Sequence, residues 1–92
     1  MAHSKEEALK HARQDMAERL SVSEDEIESE HVEETEFPDL ALGASTKGEM
    51  SGQMLTPGWR IKLRSGDQTL EYRANEDQLR LHNYKGKNHK VR

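Results

Sequence analysis

No cysteine occurs anywhere in the chain. That excludes a disulfide framework, a thiolate nucleophile and any zinc site built on sulfur. Such a composition suits a reducing compartment, so the cytoplasm is the expected location. Aromatic residues are scarce, with Phe37, Trp59, Tyr72 and Tyr84 the whole set. Apolar residues make up 32% of the 92 positions, fewer than the 35% that carry charge. A core drawn from so little apolar material is thin, and a deep closed catalytic cavity is hard to build from it. Long hydrophobic runs are missing as well. Nothing approaches the roughly 20 apolar residues that span a bilayer, and Met1 to Leu20 holds no apolar stretch of the kind a secretory signal needs. The expectation is one soluble, monomeric domain with no membrane partner.

Charge, by contrast, is plentiful and unevenly placed. The formal net charge is −4, yet residues 24–36 hold Glu24, Asp25, Glu26, Glu28, Glu30, Glu33, Glu34 and Glu36. The last eight residues carry Lys85, Lys87, Lys90 and Arg92 and no acid. Such a terminus reads as a solvated basic tail. The expected organisation is a single α+β domain over residues 1–84, followed by a flexible basic tail over 85–92.

Ser4 and Glu7 have the spacing of a capping box, and Leu9, Ala12, Met16 and Leu20 recur at steps of three and four. Together they predict an amphipathic helix over residues 5–20. Ser23 and Glu26 repeat the capping spacing and predict a single turn near 24–27. Residues 28–37 alternate as a weak strand that Pro38 ends. Residues 38–58 contain both prolines and no clear period, and read as a long loop of the kind that often carries function. Within it the backbone is expected to be anchored near Leu40 and Leu42 and exposed over 44–52. Pro57-Gly58 reads as a bulge or turn.

The remainder is a meander. Trp59, Ile61 and Leu63 alternate with Arg60, Lys62 and Arg64, and Gly66-Asp67 makes a type II′ turn. Folding back there places Leu63 opposite Leu70, Ile61 opposite Tyr72, and Trp59 opposite Ala74. After a second turn at Asn75–Gln78, Leu79 and Leu81 continue the same apolar face. Agreement of two hairpins in register fixes the pairing. The fold class is therefore α+β, with one N-terminal amphipathic helix packed on a three- to four-stranded antiparallel meander. Leu9, Met16, Leu20, Ile61, Leu63, Leu70, Tyr72 and Leu81 form the expected core.

Catalytic and ligand motifs are sparse. The five histidines, His3, His11, His31, His82 and His89, show no metal-ligand spacing, and His11 with Asp15 is the one pair sharing a helical face. No metal or cofactor is expected. The acids of 24–36 form a solvated run with no pocket implied, whereas general acid–base work needs a partly buried carboxyl. No phosphate-binding glycine loop or nucleophile elbow is present. The outer sheet face carries Arg60, Lys62, Arg64, Arg73 and Arg80, the alternative surface, one for an anionic partner. No aromatic residue is interleaved with these cations to stack on bases, and the acidic strand placed beside 59–64 would neutralise them.

The stretch Phe37-Pro38-Asp39-Leu40-Ala41-Leu42-Gly43, followed by Gly48, Gln53, Pro57-Gly58-Trp59-Arg60-Ile61 and Leu70-Glu71-Tyr72-Arg73, resembles a family of small uncharacterised bacterial domains. Leu20-Ser21-Val22-Ser23-Glu24-Asp25-Glu26-Ile27 fits the same pattern. Where that pattern continues with a cysteine and prolines, this chain has Ala44, Ser45 and Lys47, so any thiol role is lost here. The order of elements is similar to PepSY-type domains, some of which restrain peptidases. The resemblance implies a fold and no firm activity.

The expected function is a non-enzymatic binding or regulatory module that contacts another protein through loop 40–55, with Leu42, Lys47, Met50 and Met54 as its binding residues. Met50 and Met54 suit adaptable apolar contacts. The alternatives are a peptidase inhibitor presenting the same loop, and a weak nucleic-acid binder using the basic face and tail.

Overall fold

Ser4 opens the first helix with both halves of a capping box. Its hydroxyl accepts from the Glu7 amide at 3.1 Å, and its own amide donates to Glu7 Oε1 at 3.1 Å. The helix, α1, runs Lys5–Leu20 and ends at Ser21 in the left-handed region, φ 56°. A 3-10 turn follows at Glu24–Glu26, opened by a second box from Ser23. The computed structural model of the chain describes residues 4–50 and 52–92.

Five strands follow: β1 (Glu28–Phe37), β2 (Thr56–Ser65), β3 (Gln68–Ala74), β4 (Leu79–Tyr84) and β5 (Lys87–Lys90). They form one antiparallel sheet in the order β1-β2-β3-β4-β5. The register matches the alternation of the sequence: Leu63 faces Leu70, Ile61 faces Tyr72, Trp59 faces Ala74, and Leu79 and Leu81 face Ala74 and Tyr72. Gly66 has φ 58° at the β2–β3 turn while Asp67 keeps a negative φ, as a II′ turn requires.

The helix covers one face of this sheet. Ala8, Ala12 and Met16 pack with Ile27, Ile61, Leu63, Leu70, Tyr72, Ala74, Leu79 and Leu81 in one cluster. Leu9 and Leu20, expected at the centre, lie at its margin and are only partly buried. Two alanines take the central positions because their small side chains let the helix approach the sheet closely, which leaves the larger leucines at the flanks. A polar clasp joins helix to sheet inside this layer. The Tyr72 hydroxyl donates to Asp15 Oδ2 at 2.6 Å, and Arg19 Nε donates to the same oxygen at 2.6 Å. Burial first, then the hydrogen bond to Asp15 and the charge of that carboxylate, pushes the Tyr72 phenol well above its usual range.

Three expectations change. The meander has five strands rather than three or four. The residues expected as a mobile tail include the fifth, because Lys85 at φ 53° and Gly86 at φ 81° turn the chain back onto β4. Val91 donates its amide to the Leu79 carbonyl at 2.9 Å, and its side chain joins the core margin. Pro57-Gly58 is neither bulge nor turn, since β2 continues through it, with Pro57 opposite Glu36 and Gly58 opposite Thr35. Proline is tolerated because β3 stops at Ala74 opposite Trp59, so β2 is locally an edge at Pro57. Gly58 is required there: a Cβ would lie 2.3 Å from the Ala74 carbonyl oxygen and 3.1 Å from Phe37 Cε2.

Two stability measurements check this packing. Leu63→Ala is expected to cost about 2–5 kcal/mol in urea unfolding, the usual range for emptying a buried leucine site. Deleting residues 86–92 is expected to cost more than about 1 kcal/mol, because it strips hydrogen bonds from β4. A mobile tail would leave the midpoint unmoved.

Candidate functional site

The face away from α1 begins with an electrostatic problem. Register sets Arg60 of β2 opposite Arg73 of β3, and Arg73 opposite Arg80 of β4. Like charges directly opposite destabilise a sheet. Carboxylates answer part of the row. Glu33 on β1 accepts from Arg60 Nη1 at 2.8 Å, and Glu71 Oε2 accepts from Arg73 Nε at 2.9 Å with Arg60 Nε at 3.5 Å. Hydrogen bonds from His31 and then Arg60 hold Glu33 below the usual carboxylate range.

The rest of the answer is the segment between β1 and β2. Phe37 is buried at the end of β1, with the Arg73 guanidinium 5.4 Å and the Arg60 guanidinium 6.0 Å from its ring centroid. Asp39 then closes a tight turn, its Oδ1 accepting from the amides of Ala41 and Gly43 at 2.9 Å each. Leu42 (φ 59°) and Gly43 (φ 67°) are consecutive left-handed residues. This turns both their carbonyls onto Arg73 Nη1, which donates to each at 3.1 Å. A Cβ on Gly43 would lie 2.7 Å from that nitrogen.

Arg80 is 3% exposed, and its charge is met by the loop. Nη1 and Nη2 donate to the two carboxylate oxygens of Glu49 at 2.6 and 2.7 Å, and Nη1 also donates to the Ala44 carbonyl at 3.3 Å. Glu49 Oε1 further accepts from the Thr46 amide at 3.0 Å. Arg80 first, then the Thr46 amide, lowers the Glu49 carboxyl from 4.5 to about 2. At the neck, the Leu40 amide donates to the Gly52 carbonyl at 2.9 Å, and Gln78 Nε2 donates to the Leu40 carbonyl at 2.6 Å.

The expected binding residues thus divide. Leu42 is fully buried with Ala41 and Ala44 and belongs to the packing. Lys47 is exposed, and Met50 (97%) and Met54 (63%) stand in water with Leu40 (45%) and Leu55 (66%). Residue 51 lies outside the described residues. Among the others the expectation that 44–52 are exposed fails at Ala44, which is buried under the loop, and at Thr46 and Glu49, which are half-buried where Thr46 bonds the carboxylate that neutralises Arg80. Leu40, Leu55 and Glu49 are additions to the residues read from sequence. A signal for Glu49 existed, since the register that pairs Ala74 with Leu79 also sets Arg73 against Arg80.

On the expected anionic-partner face, Arg60, Arg73 and Arg80 are engaged as described, and Arg64 pairs with Glu28 at 3.1 Å and Glu30 at 3.7 Å. Lys62 makes no ion pair within 4 Å among the described residues. Beyond the loop this face opens into a cleft of about 660 Å³ lined by Lys62, Glu71, His82, Glu30 and Lys85. Burial, then the nearby Arg73 cation, lowers the His82 pKa against the pull of Glu71, 3.6 Å away. Among the described residues no group of three His, Asp or Glu side chains is placed to hold a metal. No helix among them is long and apolar enough to cross a membrane.

One family model matches the chain, that of a domain of unknown function (DUF8738), over residues 9–82. No curated protein and no solved structure matches.

The Glu49–Arg80 pair yields a pH test. A carboxyl lowered on folding stabilises above its unfolded pKa, and that contribution is lost as pH falls from about 4.5 towards about 2. Glu49→Gln is expected to cost roughly 1–3 kcal/mol at pH 7. The gap between wild type and variant should close on acidification, read from urea midpoints at each pH. A gap independent of pH would show that the pair does not titrate with folding.

Proposed function

The chain belongs to this family of domains of unknown function (DUF8738), and from that premise we propose that it is a non-enzymatic binding module that offers the rim of its 38–55 loop to another protein. One observation carries the reading. Among the described residues, the large apolar side chains left exposed are Leu40, Met50, Met54 and Leu55, all on this one loop. An apolar rim on a segment pinned by Arg73 and Arg80 keeps its shape while presenting flexible contacts, so less order is lost on binding. The absence of cysteine fits a cytoplasmic site of action. The five glutamates of β1 disfavour edge-to-edge pairing of two copies, which supports a monomer.

A second reading uses the same residues. The helix-then-meander order is similar to PepSY-type domains, and Gly52, Gln53, Met54 and Leu55 are four consecutive exposed residues outside any strand. A peptidase inhibitor would present such a segment. Nucleic-acid binding has less support, because the arginines of the basic face already hold carboxylates or loop carbonyls.

The test is photo-crosslinking in the native host, with a diazirine residue at position 54 and, as control, at the exposed position 68. Discrete adducts with another protein are expected from position 54 and not from 68. Equal labelling from both, or none from 54, overturns the loop reading. If the captured protein is a peptidase, its inhibition by wild type and release by Met54→Asp would select the inhibitor role.

A further inference from the structure

We propose that the free edge of β1 takes up an extended, basic peptide as a sixth strand, at a surface separate from the loop rim. Among the described residues β1 is the first strand of the sheet and neighbours only β2. An edge strand presents a row of unpaired backbone donors and acceptors to any strand that can align with it. After an irregularity between Ser29 and His31, the stretch His31–Phe37 holds regular register with β2. At about 3.3 Å per residue that stretch offers roughly 23 Å of straight edge.

Charge selects the partner. β1 carries Glu28, Glu30, Glu33, Glu34 and Glu36. The first two meet Arg64 and the third meets Arg60. Glu34 and Glu36 are exposed and have no ion pair within 4 Å among the described residues. They alternate on one face, opposite Trp59 and Pro57 of β2. With Glu76 and Trp59 they line an open cleft of about 410 Å³. An added strand would set alternate side chains about 5 Å from Glu34 and Glu36. A lysine or arginine there would meet a carboxylate and extend towards the indole, whose face also attracts cations. The occupant that fits is a segment with Lys or Arg at every second position. The basic β5 of a second copy fits less well. It spans only Lys87–Lys90, and its two lysines, three residues apart, point to opposite faces.

The experiment titrates the full chain with the labelled peptide Thr-Lys-Val-Lys-Thr-Lys-Val and follows backbone amides by NMR. Saturable binding at low salt is expected, with shifts and exchange protection confined to 31–37. Glu34→Gln with Glu36→Gln should weaken it about tenfold without changing the melting temperature. The same peptide N-methylated at alternate residues should lose at least about tenfold, since it keeps the charge but cannot pair. Equal binding of the N-methylated peptide would show charge attraction without strand addition and overturn the proposal. So would no binding at about 1 mM peptide, in which case the acids serve only to keep the edge bare. Self-association through 31–37 without peptide binding would assign the edge to a second copy and overturn it equally.

Discussion

Arg60, Arg73 and Arg80 stand shoulder to shoulder on three adjacent strands, and Arg80 is almost wholly removed from water. A buried charge is costly unless it is paired and fully hydrogen-bonded. The loop between β1 and β2 exists in its observed form because it meets that need. It delivers Glu49 to Arg80 and the carbonyls of Leu42 and Gly43 to Arg73. Removing the loop would leave three cations facing one another with Glu33 and Glu71 alone to offset them. The loop is therefore part of the sheet's second face rather than a connection laid over a finished one.

This arrangement also solves a problem of supply. A chain with few apolar residues can cover one sheet face with α1, and among the described residues no second α-helix covers the other. The loop covers part of that face with a minimum of material: Phe37, Ala41, Leu42 and Ala44 are buried, and arginine side chains supply much of the remaining contact. The motif Phe37-Pro38-Asp39 through Gly43 is structural in every member whose contacts are resolved here. Phe37 underlies two guanidinium groups, Asp39 caps the turn, and Gly43 leaves room for Arg73. None of these roles requires Leu40, Met50, Met54 or Leu55 to be apolar. All four nevertheless stand exposed.

Alternation made the meander legible in sequence, because a one-residue slip would have turned Ile61, Leu63 and Tyr72 into water. The helix was legible through its capping box. What periodicity could not reveal was anything set by charge or by a single turn. β5 has the composition of a solvated tail, and only the left-handed pair Lys85-Gly86 folds it back. Ala12 was legible as part of the stripe but not as core, and Ala8 was not legible as core either, because hydropathy ranks leucine above alanine, whereas close helix–sheet approach ranks alanine first. The loop's packed half was hidden for another reason. Its contacts run to residues some 30 positions away, and no local pattern encodes them. The register nevertheless held the clue, since pairing Ala74 with Leu79 makes Arg73 oppose Arg80, and that conflict has to be resolved by something outside the strands.

β5 gains a meaning from the same contacts. Asn88 Nδ2 donates to the Ser45 carbonyl at 2.8 Å, so the last strand reaches across β4 to hold the loop from its far side. Asn88 Oδ1 meanwhile accepts from the Asn83 amide at 2.8 Å, which ties that grip to the irregular end of β4, where Asn83 is left-handed at φ 51°. Three different strands thus hold the loop, through Arg73 on β3, Arg80 on β4 and Asn88 on β5, in addition to the bond from Gln78 to the Leu40 carbonyl. The Arg80 contact would weaken with Glu49 protonated, whereas Arg73 holds backbone carbonyls and Asn88 makes a neutral hydrogen bond, and neither depends on that carboxylate. Residues 87–90 lie beyond the span shared with the family, yet they steady the segment whose rim carries the exposed apolar side chains. A terminal strand with almost no apolar content is accounted for in this way, since its contribution is made through the position of the loop as well as through core burial.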